Sequence, residues 1–185
     1  MARIGPASRE DVPADQREAF DRFVSERGES PPSGPLAVML NAPEMLERGE
    51  HLRAYLRGDS ADLSATIREL AMLVTAREND CQYIWHAHAA AGRRAGLKDD
   101  LIDNLRDKRP LTGISPQESA VVAYGREYFR TRRVSQAAFD TALKEFGVRG
   151  LAELTSLMGY YALLAFNINT FEMLPEGGGE AILPV

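Results

Sequence analysis

The sequence predicts an all-α fold, organised as a single domain of about seven helices over residues 1–185. No segment has the alternation of apolar and polar residues, rich in β-branched side chains, that is typical of a strand. Apolar residues instead recur at helical spacing, as at Ile67, Leu70, Leu73 and Val74. A chain of 185 residues is also long enough to bury one sizeable core.

The first half of the chain alternates helices with breaker segments. Residues 1–13 are polar and contain prolines, which predicts an N-terminal arm. We expect helices over residues 15–27 and 43–56, separated by a Pro-rich loop over 30–35 and a short apolar piece over 36–40. Gly28 and Gly58 are expected to end these two helices, and Asn41 to cap the second.

The second half predicts an almost continuous series of helices. They are expected over residues 64–78, 79–94, 98–106, 116–133, 135–147 and 150–171. The clearest start is Ser115-Pro116-Gln117-Glu118, with serine as N-cap and glutamate at the capping-box position. The last helix is unusually apolar, which favours burial within the domain or at a subunit contact. Residues 175–185 are expected to form a C-terminal tail, flexible at its glycines, from which Ile182, Leu183 and Val185 could dock on a neighbour.

The composition argues against several classes of function. A net charge of −5 and a pI near 5.3 give no general attraction to nucleic acid or to an anionic membrane surface. No run approaches the ~20 consecutive apolar residues of a membrane span. The single cysteine rules out an internal disulfide, and the start of the chain does not look like a signal peptide. We therefore expect a cytoplasmic protein.

Chemically capable residues cluster between Glu69 and His88. This stretch holds the only cysteine, Cys81, the only tryptophan, Trp85, and two of the three histidines. If residues 81–88 are helical, Cys81 and His88 lie two turns apart on nearly the same face. Glu69 would lie on the preceding helix. A carboxylate, a thiol and an imidazole could therefore meet in one pocket.

Each of these residues also has a purely structural interpretation. Cys81 alone is more often a small core residue than a nucleophile. His88 lies in an alanine-rich stretch and could be a hydrogen-bonded core histidine, and Glu69 could be buried or solvated. Trp85 is a candidate for substrate binding, with packing as the alternative. His86 and His88 diverge by about 200° on a helix and cannot chelate one ion, so no metal site is predicted.

The order of these residues resembles the carboxymuconolactone decarboxylase and alkylhydroperoxidase D-like (AhpD-like) superfamily. The redox branch of that superfamily carries Glu-x11-Cys-x-x-Cys-x-x-x-His. Glu69, Cys81 and His88 match the glutamate, the first cysteine and the histidine, whereas Ile84 stands where the second cysteine would be. Further segments resemble the decarboxylase-like branch: residues 41–44, 85–88, 96–97, 159–161 and 167–175.

The resemblance implies an all-helical subunit that assembles as a homo-oligomer (a trimer, hexamer or dimer) and acts on a small molecule without a cofactor. In the decarboxylase branch a carboxylated unsaturated lactone loses CO2 and a double bond shifts. By resemblance, His88 is then the proton donor or acceptor, Glu69 is its partner, and Cys81 is a pocket wall or weak donor. An imidazole suits proton transfer near neutral pH.

Two other functions stay open at this point. The first is a thiol-dependent hydroperoxide reductase that uses Cys81 alone, with an external thiol as the resolving group. The internal disulfide cycle of the redox branch is closed to this chain because isoleucine cannot supply a resolving thiol. The second is a non-catalytic oligomeric module that binds a small ligand on the same fold.

Overall fold

The computed structural model describes residues 2–27, 33–175 and 183–184. Within these ranges it is entirely helical, as predicted, with eight α-helices and one short 3-10 turn at Ala14–Gln16. The helices are α1 (Arg17–Ser25), α2 (Pro35–Met39), α3 (Pro43–Arg57), α4 (Ala65–Glu78), α5 (Gln82–Arg94), α6 (Asp99–Arg106), α7 (Pro116–Thr131) and α8 (Gln136–Thr170). The expected end of the first helix at Gly28 lies outside the described residues.

Serine side chains begin three of these helices. Ser64, Ser115 and Ser135 each accept a hydrogen bond from the backbone N–H three residues later, which satisfies a donor that has no partner inside the helix. At Ser115 the reciprocal bond from its own N–H to the Glu118 carboxylate completes a capping box. These three starts agree with the sequence prediction.

Two local predictions are wrong. Asn41 does not cap α3, because Ala42 occupies the N-cap position and the Asn41 side-chain amide instead donates to the carbonyl oxygen of Val38 at 2.8 Å. Cys81 does not lie within a helix but at the N-cap of α5, after a turn in which Asp80 adopts a left-handed conformation with φ 48°. The expected apolar piece at 36–40 is mostly the short helix α2.

The two helices expected at 135–147 and 150–171 are joined as α8, with non-helical geometry at Gly147 (φ 65°, ψ 179°). Any other residue would be strained at this positive φ. By length and composition alone, α8 could cross a membrane, but half of its most apolar window is buried inside the protein. A buried core helix passes the same test, so this is weak support for a span.

Helix α4 is the centre of the main core. Its residues are buried without interruption from Glu69 to Arg77, on every face, and α5, α7 and α8 pack around it. The apolar period at Ile67, Leu70 and Leu73 therefore located the helix but understated its burial. A central position is what brings a carboxylate on this helix into the interior.

A smaller core lies between the N-terminal segments and α3. It is formed by Val12, Phe20, Phe23, Met39, Leu40 and Leu46. The expected N-terminal arm is fastened to the body by backbone hydrogen bonds from Arg3 to Phe171 and from Ala7 to Ala37, both 2.9 Å. In this layer α1 and α2 pack against α3, which in turn contacts α8.

The described part of the C-terminal tail returns to its own chain rather than to a neighbour. Leu183 is 1% exposed and belongs to the main core. The Gln82 side chain accepts from the Leu183 N–H at 2.6 Å and donates to its carbonyl oxygen at 3.0 Å. Ile182 and Val185, which were also expected to dock, lie outside the described residues.

Candidate active site

Helices α4 and α5 bring Glu69 and His88 together. The two helices are consecutive, packed together and joined by only three residues, so they form a helical hairpin. Across it, the His88 Nδ1 and the Glu69 Oε2 lie 2.7 Å apart, within hydrogen-bond distance. Both residues are buried, at 7% and 8% exposure. With Nδ1–H donating to the carboxylate, Nε2 is the ring nitrogen left to exchange a proton with a ligand.

His88 lies on the wall of a cavity of about 250 Å³ between α2, α3, α5 and α8. One part of the wall is apolar and is formed by Pro35, Leu36, Met39, Ile84, Ala87, Leu164 and Ile168. The polar part is formed by Ser33, Glu50, Arg53, Arg57, Tyr83, His88 and Tyr161. An apolar pocket with a few convergent polar groups is the usual form of a small-molecule site.

Two arginines of α3 line the cavity, and they differ in how strongly other residues of the protein bind their guanidinium groups. Arg53 donates through Nε and an NH2 group to the two oxygens of Glu50, at 2.6 and 2.7 Å. Glu50 is buried and also accepts from Arg27 at 2.6 Å. Arg57 has a looser partner, because its guanidinium lies 3.7 Å from Glu69 Oε1, beyond hydrogen-bond distance. One carboxylate thus links Arg57 to His88.

Tyr161 packs its ring edge-to-face against His88, with the ring centroids 5.2 Å apart. Burial is the main reason why the pKa of Tyr161 rises to about 12, with the negative charges of Glu69 and Glu50 adding to it against Arg57 and Arg53. The side chain is therefore a neutral phenol at physiological pH. A protonated hydroxyl on a cavity wall can donate a hydrogen bond to a ligand oxygen.

A sequence model of the carboxymuconolactone decarboxylase family matches residues 43–127, which include Arg57, Glu69 and His88. Residues 43–127 are thus similar in sequence to this family, and the described chain has the AhpD-like fold. No curated protein matches the chain significantly.

Several solved structures share this fold. The AhpD-core, peroxidase-related protein of Ralstonia eutropha superposes with a TM-score of 0.71 at 17% identity, over 95% of this chain and 93% of its own. A protein of unknown function from Agrobacterium tumefaciens gives 0.68 at 18% identity, over 77% and 99%. A peroxidase-related protein of Silicibacter gives 0.67 at 18%, over 94% and 91%. At these identities the likeness concerns the fold alone.

Relative to the redox motif of the superfamily, the structure separates Cys81 from the cavity. Ile84, at the position of the second cysteine, forms part of the cavity wall. Cys81 is completely buried in the main core and is absent from that wall. Burial raises the pKa of its thiol to about 11, although the backbone N–H groups of Tyr83 and Ile84 oppose this shift. Cys81 is thus placed as a core thiol.

We expect the Cys81 thiol to be inert in the folded protein. With a pKa near 11 instead of 9.0, its thiolate fraction at pH 8 falls roughly 100-fold. Labelling by a disulfide reagent at pH 8 should therefore be at least that much slower than for the same chain in urea. Fast labelling of the folded chain would contradict this placement.

The raised pKa of the Cys81 thiol also makes the free energy of unfolding depend on pH. The unfolded thiol loses its proton near pH 9.0, whereas the folded one keeps it until about 11. The free energy of unfolding should therefore fall as pH rises through this window, by up to about 3 kcal/mol, and Cys81→Ala should remove that component.

Trp85, predicted as a substrate-binding residue, is 2% exposed and packs in the main core outside the cavity wall. Among the described residues, no group of three or more His, Cys, Asp or Glu side chains is arranged to hold a metal ion.

A larger groove of about 600 Å³ between α7 and α8 is lined by aromatic residues and arginines, including Tyr124, Tyr128 and Arg132. Its wall has no histidine or carboxylate, whereas His88 and Glu50 lie on the wall of the smaller cavity.

The sequence interpretation missed the polar contribution of α3. Glu50, Arg53 and Arg57 follow each other at three- and four-residue intervals, which places them on one helix face. That spacing was the available signal, but charged residues on one helix face normally indicate a solvated surface. Glu50 is 7% exposed and accepts a hydrogen bond from Arg27, 23 residues away, a contact that no local pattern reveals.

Proposed function

We propose that this protein is a cofactor-free lyase that decarboxylates a small carboxylated lactone, or a related enolisable acid, by acid–base catalysis at His88. The observation that carries the proposal is the 2.7 Å contact between Glu69 and His88 at the wall of the cavity. A carboxylate that holds one imidazole nitrogen fixes the tautomer and stabilises the imidazolium form. This arrangement suits the delivery of a proton to carbon.

In the proposed reaction, the bond between the ring carbon and the carboxylate breaks and CO2 leaves. Its electron pair moves into the conjugated carbonyl, which becomes an enolate oxygen. In this proposal the neutral phenol of Tyr161, which lies on the cavity wall, donates a hydrogen bond to that oxygen, where negative charge develops. Protonated His88 then transfers a proton from Nε2 to carbon and is reprotonated from water.

The cavity favours this reaction over peroxide reduction. A peroxidatic cysteine must be accessible and at least partly ionised. Cys81 is completely buried, off the cavity wall, and has a raised pKa. A purely structural or ligand-binding role is less well supported, because it does not require a buried Glu–His pair beside a cavity.

The direct test is a panel of five-membered unsaturated lactones that carry a carboxylate. We expect CO2 release by the purified protein, with one deuterium placed on carbon when the reaction is run in D2O. A parallel assay with tert-butyl hydroperoxide and dithiothreitol should show no turnover above the uncatalysed rate. Peroxide turnover without any lactone decarboxylation would reverse the assignment.

A further inference from the structure

We propose that Arg57 is the residue of this cavity that binds a carboxylate on the substrate and selects anionic over neutral ligands. The inference rests on the proposed function for its choice of ligand, but it assigns a role to a residue that the superfamily motif does not include. It follows from the hydrogen bonding of Arg57, from the contrast with Arg53, and from the charge around the cavity.

Arg57 has unused donors at the cavity wall. A guanidinium offers five N–H donors. Among the described residues Arg57 makes no hydrogen bond, and its one ion pair, with Glu69, is 3.7 Å long. Its side chain is 37% exposed although the residue closes a concave wall. A planar carboxylate could therefore be bound by the guanidinium fork without first breaking a strong protein contact.

Arg53, one turn earlier on the same face of α3, is not equivalent. Its Nε and one NH2 group are already engaged in a two-point contact with Glu50. Glu50 is held in place from the other side by Arg27. A ligand carboxylate would have to compete with a partly buried, two-point ion pair in order to recruit Arg53. The wall therefore has one arginine fixed by the protein and one that a ligand can use.

The charges around the cavity also favour an anion. Three guanidinium groups, those of Arg27, Arg53 and Arg57, meet two carboxylates, those of Glu50 and Glu69. This leaves one positive charge uncompensated among the described residues at the site, before any proton is added to His88. One substrate carboxylate would balance it in a cavity whose other wall is apolar.

A carboxylate held by Arg57 would lie next to the Glu69–His88 pair, because Glu69 contacts both residues. The carboxylate meant here is one that the substrate keeps and not the one lost as CO2, so this contact is made both before and during the reaction. Binding that is equal in the ground state and the transition state changes KM more than kcat. We therefore treat Arg57 as a specificity-determining residue rather than as a proton-transfer group.

The test is a binding measurement that does not depend on turnover. The probes are 2-furoate, a five-membered oxygen heterocycle with a carboxylate, and 2-furamide, its uncharged analogue, each titrated calorimetrically into the wild type, Arg57→Gln, Arg57→Lys and Arg48→Gln. Arg48 lies on the same helix, pairs with Glu44 at 3.2 Å and does not line the cavity.

We expect the wild type to bind 2-furoate more tightly than 2-furamide. Arg57→Gln should weaken 2-furoate binding roughly 10- to 100-fold and leave 2-furamide within about threefold, with Arg57→Lys intermediate and Arg48→Gln unchanged. Equal losses for both probes, no preference for the carboxylate, or no saturable 2-furoate binding to the wild type would overturn the proposal. Since no reaction is measured, failure of the lactone panel would leave this result interpretable.

Discussion

Replacement of His88 by glutamine should lower turnover of the decarboxylation substrate by roughly 10²- to 10⁴-fold. Glutamine keeps a polar side chain of similar reach that can donate to Glu69, but it cannot accept and release a proton near neutral pH. The quantity to measure is kcat for CO2 release under saturating substrate. Binding of 2-furoate should change much less, because its main contact is assigned to Arg57.

Glu69→Gln should cause a loss of the same order. An amide can donate to Nδ1 and so hold the imidazole in the wrong tautomer, and it no longer stabilises the imidazolium. Because the two side chains are expected to act as one unit, kcat of the double variant should lie within about threefold of kcat of the slower single variant. Independent, multiplicative losses would indicate separate roles for the two side chains.

A matched control is available in Glu153. This carboxylate is also buried, at 6% exposure, and accepts from Tyr55 at 2.7 Å and from the backbone N–H of Asp62. It does not line the cavity. Glu153→Gln should therefore leave kcat near that of the wild type, even if the free energy of unfolding falls. Full activity in His88→Gln, with normal folding, would exclude acid–base catalysis at this residue.

The sequence predicted the helices for physical reasons that are local, whereas the pairing of Glu69 with His88 was implied by the family resemblance. Serine caps and the helical period specify where α4 begins, and the short connection after it makes a hairpin with α5 the natural result. The position of Cys81 was not predictable in this way. The left-handed turn at Asp80 ends α4 and moves Cys81 from a helix face to the N-cap.

Arg57 could not be found from local pattern because its role depends on partners distant in sequence. Glu69 is contributed by α4 and Tyr161 by α8, and only packing brings these helices to the end of α3. The same holds for Glu50, whose burial makes Arg53 a structural residue and leaves Arg57 for ligands. The spacing of residues along one helix shows which of them share a face. It does not show which other helices pack against that face.

The substitution Ile84→Cys should give this protein an oxidisable cysteine pair that the wild type lacks. The introduced thiol would lie on the cavity wall, four residues before His88 and so on the same helix face. Positions 81 and 84 span the first turn of α5, where Cβ atoms three apart are about 5–6 Å from each other. A disulfide needs about 3.5–4.5 Å, a small adjustment at a helix terminus.

The two thiols of this variant are expected to react in different ways because their environments differ. The introduced thiol, beside an imidazole, loses its proton and attacks the peroxide O–O bond, giving a sulfenic acid and water. The Cys81 thiol then condenses with that sulfenic acid, and a second water leaves as the disulfide forms. Dilute hydrogen peroxide should thus lower the mass of the variant by about 2 Da and remove both titratable thiols.

Two comparisons make this result specific to position 84. Ile84→Ala loses the same apolar bulk without adding a thiol, so it should resemble the wild type in peroxide and should share most of the loss of stability, on the order of 1 kcal/mol or more. Ile84→Cys combined with Cys81→Ser should stop at a sulfenic acid. If Ile84→Cys folds but keeps two free thiols in peroxide, burial of Cys81 prevents the pairing. Packing around Cys81, as well as the residue at position 84, would then prevent an internal disulfide cycle.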